Sequence, residues 1–258
     1  MIFGTPQAMK KIGVIAMFCC MSTLIWSQTD TNTTDNQGRK QGYWQQFYKN
    51  GKLRYTGQFV DDKPRGIFHH YSDMGEHICT ITHSHGDTAI ARYFHLNGKL
   101  KAEGKYLEKK RIGIWKFYNE YEEITSQEVY ISDRRHGPSR IYYNDGRIAR
   151  ETQFIDDLEN GKYTEFFPSG KLKFEATYLD GNPNGEVRYY YPSGRIECIG
   201  YYRDAVRDST WMYYDKTSGT IMRYDFYKNG YKKSSRTPEE LQQMRDARNK
   251  TGNEPVKE

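Results

Sequence analysis

The sequence is poor in what an ordinary globular core needs. Only 36% of its 258 residues are hydrophobic, and 23 of them are tyrosines. That composition excludes a thick core and suits a thin array in which neighbour packs on neighbour. No apolar run reaches the ~20 residues of a membrane-spanning helix; the longest, Ile12 to Ile25, has 14. Cysteine is scarce: of the four, Cys19 and Cys20 lie inside that stretch, leaving Cys79 and Cys198. Those two sit five hairpins apart in the repeat described below, on the order of 48 Å at ~4.8 Å per strand. A disulfide needs Cα atoms within about 7 Å, so an extended array has no internal bridge. Charge of one sign is also weak. The formal net charge is +6, and removing Lys10 and Lys11 leaves +4. This argues against a nucleic-acid partner. No Gly-rich phosphate loop, nucleophile elbow or metalloprotease helix is present. We therefore expect no enzyme activity, no catalytic residue, no cofactor and no metal.

What is present begins with a secretory pattern. Lys10-Lys11 form a basic region, Ile12 to Ile25 an apolar one, and Ser27-Gln28-Thr29 a small polar exit. This predicts a signal peptide over residues 1–28, with Met9 as the true start and a secreted or periplasmic, cell-envelope location. Residues 29–38 are polar and read as a disordered linker.

From there a repeat of about 24 residues fills residues 39–233. Units open at Gly42, Gly66, Gly113, Gly137, Gly161 and Gly185, with degenerate copies at Ala89 and Ser209. A period of this length means a stacked array. In the first unit two aromatic-rich runs flank Asn50-Gly51, which predicts a β-hairpin with a type I′ turn. The expected fold is all-β: about eight β-hairpins in a single-layer twisted antiparallel meander. Thr237-Pro238-Glu239-Glu240 then predicts a short C-terminal helix with a capping box, within a segment 234–258 that ends in a disordered tail.

Number each unit from its opening residue as offset zero. Offset two carries Trp44, Phe68, Trp115, Tyr163, Val187 and Trp211. Offset five is aromatic in all eight units, from Phe47 to Tyr214. A two-residue turn would put offsets 2, 6, 11, 15 and 17 on an apolar face, with small residues at 15 leaving room for rings at two. The opposite face would carry charge and the offset-five stripe. Aromatic stripes either knit neighbouring hairpins or grip a partner. As a recognition surface the best candidates are Tyr142, Phe166 and Tyr190, in the most regular units, with Arg140 and Arg188 beside them to steer an acidic partner. Histidines cluster in units two and three, including His83 and His85. Since His83 and His95 replace aromatic residues of the repeat, packing explains them better than a metal site. Basic link residues around Lys109-Lys110-Arg111 and Arg134-Arg135 could face an anionic lipid or glycan.

The pattern Gly-x-Trp-x-x-Tyr-Tyr-x-x-Gly-x-Leu followed by Gly-x-Tyr, clearest at Gly42 to Phe59, Gly161 to Tyr178 and Gly185 to Tyr202, resembles the bacterial variant of the MORN repeat. Proteins of this type are often catalogued as YwqK-like antitoxins of toxin–antitoxin systems. The resemblance implies a single-layer β-sheet used for interaction, with no catalytic residues to carry over. The expected function is a secreted, non-enzymatic repeat protein that binds another, unknown protein. The alternatives are a cell-envelope glycan or anionic-lipid binding module, and an antitoxin-like neutraliser of a partner protein.

Overall fold

A computed structural model describes residues 30–84 and 87–251. The expected signal peptide and the end of the tail lie outside the described residues. Eight hairpins follow one another: Lys40–Phe47 with Leu53–Val60, Lys63–Tyr71 with His77–His83, Thr88–Phe94 with Leu100–Leu107, and Lys110–Tyr118 with Ile124–Ile131. The series continues with Gly137–Tyr142 and Ile148–Ile155, Leu158–Phe166 and Leu172–Leu179, Gly185–Tyr190 and Ile196–Arg203, and Val206–Tyr214 and Ile221–Lys228. Each strand pairs antiparallel with the next, in one open sheet. A last strand, Tyr231–Arg236, closes the series, and the helix Pro238–Thr251 follows.

The expected linker is partly structured. Thr33–Thr34 pairs with Lys40 and Gln41, and the Asp35 carboxylate accepts the backbone N–H groups of Gln37 and Arg39. This short strand gives the first hairpin's outer edge a partner, which an open sheet otherwise leaves bare. At the other end the capping box forms as expected. Thr237 N–H donates to Glu240 Oε2 at 2.9 Å, and Glu240 N–H donates to Thr237 Oγ1 at 3.2 Å. Under the last strand, the buried Asp225 pairs with Lys232 and Arg223 and accepts a hydrogen bond from Ser235.

The hairpin turns differ in type from the sequence expectation. At the Asn-Gly turn, Gly51 N–H donates to Tyr48 O and Tyr48 N–H to Lys52 O, so the loop has three residues. Only Gly51, at φ +80°, is left-handed; Asn50 is not, and its side chain accepts the Lys52 N–H instead. This is a type I turn with a glycine bulge. The two-residue primed turns occur in the links between units. Asp61-Asp62, Glu108-Lys109, Ser132-Asp133, Asp156-Asp157, Asp180-Gly181 and Asp204-Ala205 have positive φ at both positions. Short polar side chains tolerate that conformation, which accounts for the recurring aspartates.

The bulge also corrects the face assignment. Offset two pairs with 15 as expected, as in Trp44 with Gly57, but offset five pairs with 11, as in Phe47 with Leu53. Offset 11 therefore lies beside the offset-five ring and not on the packed face: His77 stands 4.8 Å from Phe94, centroid to centroid. The packed face carries offsets 2, 4, 13, 15 and 17. Its buried clusters join Val187 and Trp211 with Ala176 and Cys198, and Trp115 with Ala91 and Tyr130. Cys79 and Cys198 are both free and buried in this face.

Each unit locks onto the one before it. A Cβ on Gly104 would lie 2.2 Å from the Trp115 ring, on Gly57 2.3 Å from Phe68, and on Gly200 2.2 Å from Trp211. The ring over each glycine belongs to the next unit, not to the glycine's own hairpin. The link strands reach this contact through an irregularity in register, between Glu103 and Lys105 in the Trp115 case, next to Gly113 at φ +63°.

Candidate interaction surface

The packed face is consumed by stitching. Rings at offset 17 meet the following unit's ring edge-on, Phe59 with Phe68 at 5.1 Å and Tyr106 with Trp115 at 5.1 Å. Cations from the links cover rings of the packed face. The Arg111 guanidinium lies 4.0 Å from the Tyr130 centroid, Arg135 4.0 Å from Phe154, and Arg207 4.1 Å from Trp211. Arg111 and Arg135 are held there by Asp133 and Asp157, each at 3.2 Å. These cations were read in the sequence as part of a basic rim. The fold turns them inward as ring covers and leaves Lys109, Lys110 and Arg134 exposed.

At the turn end, offset six is the first residue of the turn and not a strand residue. Its side chain reaches the next unit's offset-five carbonyl: Tyr48 to Tyr71 at 2.8 Å, Tyr143 to Phe166 at 2.6 Å and Tyr191 to Tyr214 at 2.9 Å. His95 makes the same link to Tyr118 O at 3.0 Å. His83 stands edge-on to Phe68 at 5.1 Å, as the aromatic residues at its offset do. Both histidines thus occupy packing positions of the repeat. His85 lies outside the described residues, and no metal-binding group of three or more His, Cys, Asp or Glu is found among the described residues.

The other face is the open one. Tyr142, Phe166 and Tyr190 are half-buried on it, at equivalent positions two strands apart. Their registered neighbours are Ile148, Leu172 and Ile196, so rings and aliphatic side chains alternate in one continuous row. The candidate arginines share this face but are already engaged. Arg140 pairs with Glu151 at 2.6 Å. Arg188 pairs with Glu186 at 2.6 Å and Glu175 at 3.5 Å. Tyr190 donates its hydroxyl to the same Glu175. Burial and that acceptor both push the Tyr190 phenol up. The structure therefore brings rings and arginines onto one face but presents the arginines already paired with carboxylates.

A second row on this face has no counterpart in the sequence reading. Offset 18 follows the packed ring at 17 and so points the other way. There Val60, Leu107, Ile131, Ile155 and Leu179 are 40–55% exposed. Ile67, Ile90 and Ile114 at offset one are similarly exposed. Aliphatic residues recurring at the fringe of five hairpins were the available signal; ring-centred reading passed over them.

A chain of antiparallel hairpins, each packing a ring on the glycine of its predecessor, is a β-repeat array. Its repeats match the MORN repeat variant at residues 40–61, 88–108, 135–156, 159–180 and 183–204, so the chain carries five recognised copies of that repeat. No curated protein matches the chain. Among solved structures, TarM is similar at 16% identity and a TM-score of 0.29, over 39% of this chain and 20% of TarM. A mutant of S. aureus TarM in complex with Fondaparinux, alpha-GlcNAc-glycerol and UDP matches at the same identity and score, over 37% of this chain and 19% of that one. The chain spans about a fifth of the length of these proteins. A likeness at that score carries no functional argument.

Proposed function

We propose that the protein is a non-enzymatic scaffold of the cell envelope that binds another protein across the open face of its sheet. One observation carries this reading: the open face carries an aromatic row in all eight units and an exposed aliphatic row in five of them, while the packed face is largely taken up by contacts between units. Side chains used for stitching are buried or bonded to the next unit, whereas Ile131, Ile155 and Leu179 remain about half exposed. Exposed apolar rows of this extent mark interaction surfaces. Their flat, repetitive form fits a broad protein contact, with the half-buried rings as anchors. Neutral ion pairs such as Arg140 with Glu151 then serve as a polar surround and not as a steering charge. An antitoxin-like role would be a special case, in which the bound protein is a toxin.

The test is capture from a solubilised envelope fraction by the purified chain. The comparison variant changes Tyr142, Phe166 and Tyr190 to Leu, which keeps apolar bulk and removes aromatic contact. A folded variant that no longer retains the captured protein supports the reading. Equal capture by both, or capture only of anionic vesicles, contradicts it; the vesicle result would favour the lipid-binding alternative.

A further inference from the structure

The packed face carries a cavity where the second unit meets the third. In the third unit three recurring parts are replaced together. Asp87 stands at the offset of the ring-covering Arg111, Arg135 and Arg207, Ala89 at that of the opening glycine, and Ala91 at that of the ring. Ile81 replaces the small residue at offset 15 and pairs with Ala91, so the floor is filled. Beside it a cavity of about 660 Å³ remains, lined by Arg65, Ile81, His83, Ala89, Tyr93 and Tyr106. That volume is typical of a small-molecule site.

Two features define what would fit. At offset 17, Phe59, Tyr106 and Tyr202 each meet a ring from the next unit; among the described residues His83, like Tyr130 and Tyr178, has no such partner there. The rings of His83, Tyr93 and Tyr106 wall the cavity beside the apolar Ile81 and Ala89, and the Tyr93 and Tyr106 hydroxyls are hydrogen-bonded, 3.0 Å apart. Arg65 is half-buried, and among the described residues it forms no ion pair, unlike Arg111 and Arg135. The rim adds Lys63 and Lys109 against Asp87 and Glu108, so with Arg65 positive charge prevails. Burial holds the His83 imidazole below its ordinary value. At neutral pH it is therefore an aromatic wall and not another cation.

We propose that this cavity binds a small ligand consisting of a planar ring with an anionic group. The ring lies against Ile81, Ala89 and Tyr106, and the anion meets Arg65. An uncharged ring alone would leave the guanidinium unpaired in a half-buried site, and a bare anion would leave the apolar floor wet. The site lies on the face opposite the proposed protein-binding surface and stands or falls independently of it.

The experiment is an NMR titration of the purified protein with indole-3-acetate and with its uncharged analogue indole-3-acetamide. The acetate is expected to shift the amide signals of Ile81, Ala89 and Tyr106 with a Kd of about 1 mM or tighter. The acetamide should bind about tenfold more weakly. Arg65→Gln should remove that difference without weakening the acetamide, and Arg65→Lys should restore part of it. Circular dichroism establishes that both variants fold. The proposal is overturned if neither probe moves these signals at about 10 mM, if both bind equally, or if the preference survives Arg65→Gln.

Discussion

Gly104 has no space for a methyl group, because the Trp115 ring of the next unit lies over its Cα. Gly98 in a turn has open space but a φ of +81°. The two glycines are thus required for different reasons, and alanine should separate them. Gly104→Ala should cost about 1–3 kcal/mol or more through overpacking, and Gly98→Ala about 1 kcal/mol through backbone conformation. Urea midpoints of the two variants measure this. In the same assay Trp115→Ala should cost about 3–5 kcal/mol, since the ring is 2% exposed. Arg140→Ala should cost under about 1 kcal/mol, as its ion pair is solvated. At this scale the sequence was readable where a residue recurs in place. His95 was recognisable as a packing substitute because it falls at an aromatic offset. The cation covers were not, because Arg111 and Arg135 lie in links that look solvated until the fold folds them over a ring.

Turns show where pattern reading at the scale of the element succeeds and fails. Thr237 and Glu240 form the expected capping box because the interaction is local and needs only four residues. The eight hairpins and their order were equally legible from Asn-Gly and Ser-Gly turns. The turn type was not. Asn50-Gly51 suits a primed turn, yet an extra loop residue and the Asn50 side chain favour a type I turn with a bulge. That single residue moves Leu53 and its equivalents to the other face. The links, which read only as polar, carry the primed turns. Asp133 illustrates the demand: its φ is +70° and its carboxylate accepts the Arg111 N–H at 2.9 Å. Asp133→Asn should be nearly neutral, because it keeps the acceptor and tolerates that φ. Asp133→Val should cost about 1–3 kcal/mol. Thermal or urea unfolding of the pair distinguishes these outcomes.

Across the whole molecule, tyrosine burial ties the array to pH. Burial and the neighbouring carboxylates push Tyr118 and Tyr130 up to about 12, with Glu103 and Glu128 as the respective acceptors. Burial does the same for Tyr163, also to about 12. In the unfolded chain these phenols ionise near ~10. Between those values the folded state holds protons that the unfolded state has lost, so stability falls as pH rises from about 10 to about 12. The urea midpoint should drop over that window, and Tyr118→Phe should make the drop shallower. A flat midpoint would mean that these hydroxyls are solvated. The cavity of the third unit was hidden because Asp87 and Ala89 each look like drift in a degenerate repeat, and only their place beside Arg65 and Tyr106 in the fold makes a site. The claim on which the scaffold reading rests is that one face is used up by stitching each unit to the next, leaving the other for a partner. A double-mutant cycle tests it most directly, combining Gly104→Ala with Trp115→Leu in the next unit and, separately, with Ala91→Val in the glycine's own hairpin. If stitching runs between units, most of the Gly104→Ala cost in urea disappears in the Trp115→Leu background and persists in the Ala91→Val background. An undiminished cost with Trp115→Leu would contradict the account.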